Sequence, residues 1–544
     1  MYFMGINGNL GRESHNPTVF LFKDSKLIYA AEEERFTRNK FATGKLPLNA
    51  IKECLAYEKI AIQDIDYVAF PQETWGDIFV ERLNYFFKYN FGYVPVIKYF
   101  NHHLCHAAST YFNSGFKEDS LVVTYDGSGD GIATGIYLGS QGQLKLLKSF
   151  NFPDSFGLYY SLITQYLGFI KNSDEYKVMS LASYGEPKYD LSDILSSTED
   201  GYRVNQKYIN PLMFKLKYPF YMTKQELFFS IDKFSKFGKP RLKHEKITQF
   251  HKDFAASAQY QLEEVFKNLI VRYLDKYNIN YVCLAGGTAQ NCVLNGQLIK
   301  MTQIKKIYIP PVVDDSGTAL GAAILMARHM DIKTETLTNA YWGTKYDSKQ
   351  VKAILENNNI KFTDYGEKIY EVTASKLAEG KIIGWFQDRM EIGPRALGNR
   401  SILADPRNKE IKDIINSKIK NRCEFQPFAP SVLEDECDKF FNTYNNKSPY
   451  MNITFDVKGD RKSEIQGVVH VDGTSRVQSV NKESNDKYYN LLEAFNKITR
   501  IPVLLNTSLN MKNEPIARTP QNALGILYGT GLDALVLGSI YIEK

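Results

Sequence analysis

The sequence predicts a two-domain α/β protein, and three observations predict it. The chain has 544 residues, too many for one hydrophobic core and, at roughly 150 residues per domain, enough for two to four. Its first half carries one short pattern in duplicate: apolar strand, Gly-rich turn, strand, tight turn, strand. Its second half lacks that duplication and gathers arginines, lysines and glycines within a mixed α and β pattern.

Composition narrows the class. Hydrophobic residues make up 44% and charged residues 24%, ordinary globular values that exclude disordered and fibrous chains. The 36 Tyr and 34 Phe are read as fillers of large cores rather than stacking surfaces. A net charge of +6 is too small for a nucleic-acid coat. The six cysteines contain no CxxC pair, so neither a disulfide framework nor a cysteine metal knot is expected. No stretch of about 18 apolar residues occurs and the first residues lack a basic region followed by an apolar run, so the sequence predicts a cytoplasmic protein with no membrane partner.

Taken in order, the first copy of the duplicated unit is a strand ending in Gly5-Ile6-Asn7-Gly8, then Thr18 to Phe22, a turn at 23–26, and Leu27 to Ala31. The second is Leu121 to Tyr125, the Gly-rich turn Asp126 to Gly131, Ala133 to Leu138, a turn at Gly139 to Gly142, and Leu144 to Leu147. Duplication of a three-stranded unit builds the actin, sugar-kinase and Hsp70 ATPase architecture, in which two Gly-rich turns face a nucleotide. Phe254, Ala258, Leu262, Val265, Phe266, Leu269 and Ile270 recur at helical spacing and predict a long helix with one apolar face. Tyr281 to Ala285 is a buried strand running into Gly286-Gly287. Ile307 to Ile309 is another, followed by a helix from Asp314-Asp315-Ser316-Gly317 to Met330. The polar segment Lys333 to Lys345 reads as a boundary, giving domains 1–340 and 341–544, and Leu535 to Ile540 closes the chain as a strand.

Three of the eight histidines lie in Asn101-His102-His103-Leu104-Cys105-His106. On a helix His102 and His106 share a face, the geometry in which two imidazoles reach one divalent ion, and Asp126 and Asp315, each beside glycines at a strand end, could complete an open shell. The plain alternative is histidines hydrogen-bonded at a polar helix end. Gly286-Gly287-Thr288-Ala289-Gln290-Asn291 offers backbone N–H groups to a phosphate or ribose at a strand-to-helix turn. In the second half, Arg389, Arg395 and Arg400 alternate with Gly393 and Gly398. Lys418, Lys420 and Arg422 follow, then His470-Val-Asp472-Gly473-Thr-Ser-Arg476 and Asn506-Thr507-Ser508-Leu-Asn510. Arginine forks pair with phosphate oxygens and glycines admit close backbone approach, so this set predicts a polyphosphate pocket.

The chain resembles the NodU/CmcH family of O-carbamoyltransferases over nearly its whole length. The words that carry the resemblance are Glu32-Glu-Glu-Arg35-Phe-Thr-Arg38, His102-His-Leu-Cys-His106-Ala, Asp126-Gly-Ser-Gly-Asp130, Lys177 to Gly185, Gly286 to Asn291, Asp315-Ser-Gly317, Gly393-Pro-Arg-Ala-Leu-Gly398 and Asn506 to Asn510. The resemblance implies an N-terminal actin/Hsp70-like domain similar to the threonylcarbamoyl-transfer ATPases and a C-terminal domain similar to YrdC. It implies that the C-terminal half makes carbamoyl adenylate from carbamoyl phosphate and ATP, with release of pyrophosphate, and that the N-terminal half passes the carbamoyl group to an acceptor hydroxyl beside a metal, iron(II) or another divalent ion, with Mg2+ a further candidate. By motif, His102, His106, Asp126 and Asp315 correspond to metal ligands. Arg395, Lys420, Arg476 and Ser508 correspond to positions that hold carbamoyl phosphate and the nucleotide, with Arg400, Arg422, Asn506, Asn510, Gly286, Gly287 and Asn291 as further binding candidates.

Three departures from the family pattern stand out. His15-Asn16-Pro17 replaces a His-Asp word after the first strand, leaving His15 a weakly marked candidate base. Gln426 stands where an arginine commonly precedes Pro-Phe-Ala-Pro, and Arg422 is the nearest cation to compensate. Residues 191–241 carry no family word and read as an acceptor-specific insertion. The expected acceptor is a sugar-like or polyhydroxylated small molecule. A hydroxymethylated base in DNA is an alternative acceptor, a metal-dependent actin-like ATPase or sugar kinase is the alternative class, and a nucleotide-binding scaffold without activity is a third. A homodimer is an open expectation.

Overall fold

A computed structural model describes residues 1–8, 15–74, 76–215 and 226–544, with only the backbone of 76–79 and 215. The turn after Gly8 and residues 216–225 of the expected insertion therefore lie outside the described residues. The chain divides into two compact units, one of residues 1–28 and 43–336, the other of 29–42 and 337–544.

The duplication is present in the first unit, together with the strands that complete it. Strands β1 (Tyr2–Asn7), β2 (Thr18–Lys23), β3 (Lys26–Glu32), β4 (Tyr67–Phe70) and β5 (Val96–Tyr99) form a sheet in the order β3-β2-β1-β4-β5. Here β1 is antiparallel to β2 and parallel to β4, and β4 is parallel to β5. After β6 (Ser120–Gly129), β7 (Ile132–Ser140) and β8 (Gln143–Asn151) come the hairpin β9 (Leu195–Thr198) and β10 (Gly201–Val204), then β11 (Tyr281–Ala285) and β12 (Lys306–Tyr308). The second sheet runs β12-β11-β6-β7-β8, with β6 antiparallel to β7 and parallel to β11, the same order read from the opposite edge. β11 is buried along its whole length, as expected of a parallel strand covered on both faces.

Two details differ from the sequence reading. Asp126 to Gly129 is not a separate turn: β6 continues to Gly129, with a register shift against β7 between Tyr125 and Gly129. A bulge there turns Asp126 out of the regular alternation. At the end of the chain, Leu535 to Ile540 is two strands of a hairpin, Ala534–Leu537 and Ile540–Glu543, because Gly538 at φ 64° makes a turn between them.

The helix Asp315–His329 organises the first unit. It packs on β1 and on the helix His102–Tyr111, and in both places backbone meets backbone. A Cβ on Gly5 would fall on the carbonyl oxygen of Ala319, and a Cβ on Gly321 on that of Cys105. The expected long helix spans Gln249–Tyr277 and buries the predicted face from Phe254 to Ile270.

In the second unit, β13 (Thr363–Asp364), β14 (Ile383–Phe386), β15 (Arg400–Ala404), β16 (Ala429–Leu433), β20 (Gln478–Val480), β21 (Val503–Ser508), β22 (Ala534–Leu537) and β23 (Ile540–Glu543) form one mixed sheet, in the order β13-β23-β22-β14-β15-β21-β16-β20. A small sheet of β17 (Phe441–Asn442), β18 (Thr454–Val457) and β19 (Thr474–Arg476) adjoins them in sequence. Helices Ile369–Ala378 and Asp486–Thr499 bury Leu377, Leu491, Leu492 and Phe495 in one cluster with Trp385, Leu403 and Val536. From Tyr29 the chain belongs to this unit: Ala30 N–H donates to the Trp342 carbonyl at 3.1 Å, and the Tyr29 and Thr344 hydroxyls share a buried hydrogen bond of 2.9 Å.

Gly321→Ala must push two helices apart or bend them, an overpacking cost of about 1–3 kcal/mol. Denaturant unfolding of this variant should show a loss in that range; an unchanged midpoint would contradict the close approach.

Candidate metal centre and anion site

Four predicted ligands converge in the first unit. Asn101 caps the helix His102–Tyr111 through its side chain to Leu104 N–H, and Asp130 accepts His102 N–H at 2.8 Å and also the backbone N–H groups of Glu73 and Thr74. His102 and His106 thus begin a fixed helix. Their Nε2 atoms each lie 3.3 Å from Asp126 Oδ2, and 3.6 and 3.7 Å from Asp315 Oδ1. One ligand atom from each of the four lies within 4.8 Å of the others. Asp126 is held in turn: its Oδ1 accepts N–H from Gly127 at 2.8 Å and from Gly287 at 3.2 Å. The glycines here are steric necessities, since a Cβ on Gly129 would overlap the His102 ring and one on Gly287 would press on Asp126 Oδ1.

Two nearly buried imidazoles facing two carboxylates fit a first-row divalent ion, because nitrogen and carboxylate oxygen donors suit iron, zinc and manganese. Without an ion, protons must serve instead. Burial alone would lower His106, but its hydrogen bond to Asp126 and the nearby Asp315 carboxylate carry it to about 9. Burial would raise Asp126, yet the two histidines hold it well below the usual carboxylate value. His103 stands apart: its ring nitrogens bond Thr124 Oγ1 at 2.7 Å and the Ile132 carbonyl at 2.9 Å, and burial keeps it neutral. His15 edges the cluster with Nδ1 3.9 Å from Asp315 Oδ2. Gly286 sits at φ 98°, where a Cβ would strike Tyr125 backbone, while Asn291 caps Leu294 N–H and pairs with Gln259.

The second unit gathers cations. Lys420, 4% exposed at the end of the π-helical turn Asn416–Lys420, donates to the Ser508 carbonyl, to the Asn510 carbonyl at 3.0 Å and to Asn510 Oδ1 at 2.7 Å. These acceptors are all uncharged. Burial and the like charges of Arg422 and Lys40 push its pKa well below the usual lysine value. Arg422 lies over the Phe428 ring at 4.4 Å and donates to Asn416 Oδ1 at 2.7 Å and the Pro427 carbonyl at 3.3 Å, so it braces the segment around Gln426, which is itself buried. Arg476 is half-buried at the end of β19. Near it His470 is lowered to about 4 by burial and by the Arg476 charge.

Asn506 donates to Ser431 Oγ and Gln478 Oε1, both at 3.0 Å, and to the Ala396 carbonyl at 3.3 Å, tying β21 to the loop that carries Arg395. That loop is also pinned by Glu391, whose Oε1 accepts N–H from Leu397, Asn399 and Arg400. Arg400, expected among the anion ligands, instead turns inward. It is fully buried on Phe386 and donates to the carbonyls of Gln387, Thr344, Asp388 and Asn399. A β-strand position facing the core imposes that direction. Arg389 likewise bonds the carbonyls of Trp342 and Gly343.

Arg35 and Arg38, quoted from the sequence only as part of a family word and given no site role there, belong to this unit. The signal that could have found them is the charge density of residues 32–40 without an apolar face.

Comparison with known proteins gives two family matches: Carbamoyltransferase N-terminus over residues 75–324 and Carbamoyltransferase C-terminus over 374–544. The nodulation protein NolNO of Sinorhizobium fredii is 35% identical, over all of this chain and 83% of its own length. The nodulation protein NolO of Bradyrhizobium diazoefficiens is 36% identical, over 82% of this chain and 79% of its own. The 3'-hydroxymethylcephem-O-carbamoyltransferase of Amycolatopsis lactamdurans is 29% identical over 48% of each chain.

The histidine–aspartate pairing makes a pH prediction for chelator-treated protein. His106 is raised from its ordinary 6.5 to about 9, so its contribution to stability is complete below 6.5 and is lost as pH rises through about 9. Asp126 is lowered, so its contribution is complete above its ordinary 3.8 and is lost as pH falls below that. The stability difference between wild type and Asp126→Asn should be largest between these limits and shrink by pH 9.5. A difference that stayed constant across pH would refute the pairing.

Proposed function

The chain belongs to the carbamoyltransferase family, and from that premise we propose that it is an O-carbamoyltransferase that activates carbamoyl phosphate with ATP and delivers the carbamoyl group to a hydroxyl of a sugar-like small molecule. The observation that carries the activation half of this reading is Lys420, a buried cation ringed by uncharged oxygens in the unit matched by the C-terminal family model. Burial and like charges disfavour the ammonium form of this side chain, no carboxylate pairs with it among the described residues, and a bound phosphate would favour that form.

On this reading the second unit, proposed to be YrdC-like, binds carbamoyl phosphate and ATP through Arg395, Lys420, Arg476 and Ser508, with Asn510 orienting Lys420. Carbamoyl adenylate forms with loss of pyrophosphate from ATP; the phosphate of carbamoyl phosphate also leaves, and one water is consumed. Fixed cations lower the barrier because negative charge gathers on the transferring phosphoryl oxygens. In the first unit, proposed to be actin/Hsp70-like, His102, His106, Asp126 and Asp315 would hold a divalent ion, iron(II) on the family pattern, and that ion would act as a Lewis acid toward the carbamoyl group. His15 would take the proton of the acceptor hydroxyl. The acceptor oxygen bonds the carbamoyl carbon, and the bond to AMP breaks. Gly286 and Gly287 do not offer the free N–H groups to a phosphate that the sequence predicts, because they donate to the Val313 carbonyl at 2.7 Å and to Asp126 Oδ1 at 3.2 Å.

The two halves of the reading are separable. With carbamoyl phosphate and ATP the protein should release pyrophosphate without any acceptor, and candidate acceptors should gain the mass of one carbamoyl group; ADP and a phosphorylated sugar as the only products would overturn the proposal. Lys420→Met should lower pyrophosphate release at least about 100-fold while leaving metal content intact. His106→Ala should abolish metal content and transfer while pyrophosphate release persists, and an equal fall in both activities would contradict the division of labour.

A further inference from the structure

Residues 32–38 reach loops of the second unit that are remote in sequence, and they do so through buried charge. Glu32 Oε2 accepts the backbone N–H of Gly393 at 3.2 Å, while Arg35 donates to the Gly393 carbonyl at 2.7 Å. The two side chains are themselves paired at 2.7 Å, with Arg35 Nε on the same carboxylate oxygen at 3.1 Å, and both are nearly buried. Glu34 completes the pairing on the other side of the guanidinium at 2.9 Å. Both backbone groups of Gly393 are therefore held as a neighbouring strand would hold them. Gly393, at φ 99°, is two residues before Arg395.

Arg38 makes the matching grip on a second loop. Its two terminal nitrogens donate to the carbonyls of Ile516 and Pro515, each at 2.7 Å, and it lies 3.6 Å from the Glu514 carboxylate. The Glu514 carbonyl accepts from Asn510 Nδ2 at 2.6 Å, and Asn510 Oδ1 accepts from Lys420 at 2.7 Å. From Arg38 to Lys420 the chain of contacts is continuous.

We propose that Glu32, Arg35 and Arg38 are positioning residues for the anion site, setting the loops that carry Arg395 and Asn510 so that those groups and Lys420 meet carbamoyl phosphate together. The inference rests on the proposed role of Arg395 and Lys420. A charged pair bonding both sides of one glycine, and a guanidinium bridging two successive carbonyls, constrain direction as well as distance; planar forks do this and a lysine does not. Misplacing a catalytic group by about 1 Å can cost about 100-fold in rate.

The test measures pyrophosphate release from ATP as a function of carbamoyl phosphate concentration for wild type, Arg38→Met and Arg35→Lys. Arg35→Lys keeps a charge beside Glu32 but cannot also hold the Gly393 carbonyl. In each variant the KM for carbamoyl phosphate should rise about 10- to 100-fold with metal content in the first unit unchanged. Arg38→Lys should fail to rescue Arg38→Met, because one ammonium cannot span both carbonyls. Folded variants with KM within twofold of wild type would overturn the inference. If Arg38→Met does not fold, Arg38→Lys and Arg35→Lys decide it by the same criterion. Absence of carbamoyl phosphate-dependent pyrophosphate from wild type would instead refute the functional reading on which it rests.

Discussion

The first unit depends on two places where backbone touches backbone. Gly5 on β1 and Gly321 on the helix Asp315–His329 remove the side chains that would keep that helix from the sheet on one side and from the histidine helix on the other. The consequence appears a turn or two away. Asp315 opens one helix and His102 the other, so a close crossing of the helices brings their first residues together with β6, where the bulge presents Asp126. Four candidate ligands on three separate elements converge because the helices that carry three of them are packed backbone to backbone.

The second unit solves a different problem, the burial of guanidinium and ammonium groups. Arg400 has four carbonyl acceptors, an aromatic ring and the negative charges of Glu391 and Asp388 near it, and Arg35 has two carboxylates. Both are matched within the fold. Among the described residues Lys420 donates to neutral oxygens, and the charges that act on it, Arg422 and Lys40, are of its own sign. Cations that look alike in sequence thus differ in their surroundings: a buried charge with its compensation present supports a loop, whereas Lys420 has no carboxylate partner among the described residues.

Much of this was legible in the residues. The duplicated strand units, the HxxxH pair on one helix face and the two Gly-flanked aspartates all follow from local periodicity and turn chemistry, and those signals survive folding because they are local. What was not legible is long-range. Arg395 and Arg400 lie five positions apart in one Gly-rich run, and only the place of Arg400 on β15 turns it into the core. The role of residues 32–38 was hidden for the same reason: their partners at Gly393 and Pro515 are hundreds of positions away. The hairpin at the chain end was missed through a single residue, Gly538, whose positive φ breaks an apolar run that reads as continuous.

That long-range dependence has a consequence for how the protein is made. The second unit is assembled from a stretch near the beginning of the chain and the whole of its end, with Arg35 and Gly393 separated by 358 positions. On the ribosome, Arg35 emerges 358 positions before Gly393, and its charge stays hydrated until that partner has been made. Contacts of such separation come late in folding, because the entropy of closing so large a loop is lost before any of its bonds can form. The loops at Gly393 and at Pro515–Ile516 are thus held by Arg35 and Arg38 only after residue 516 has been made.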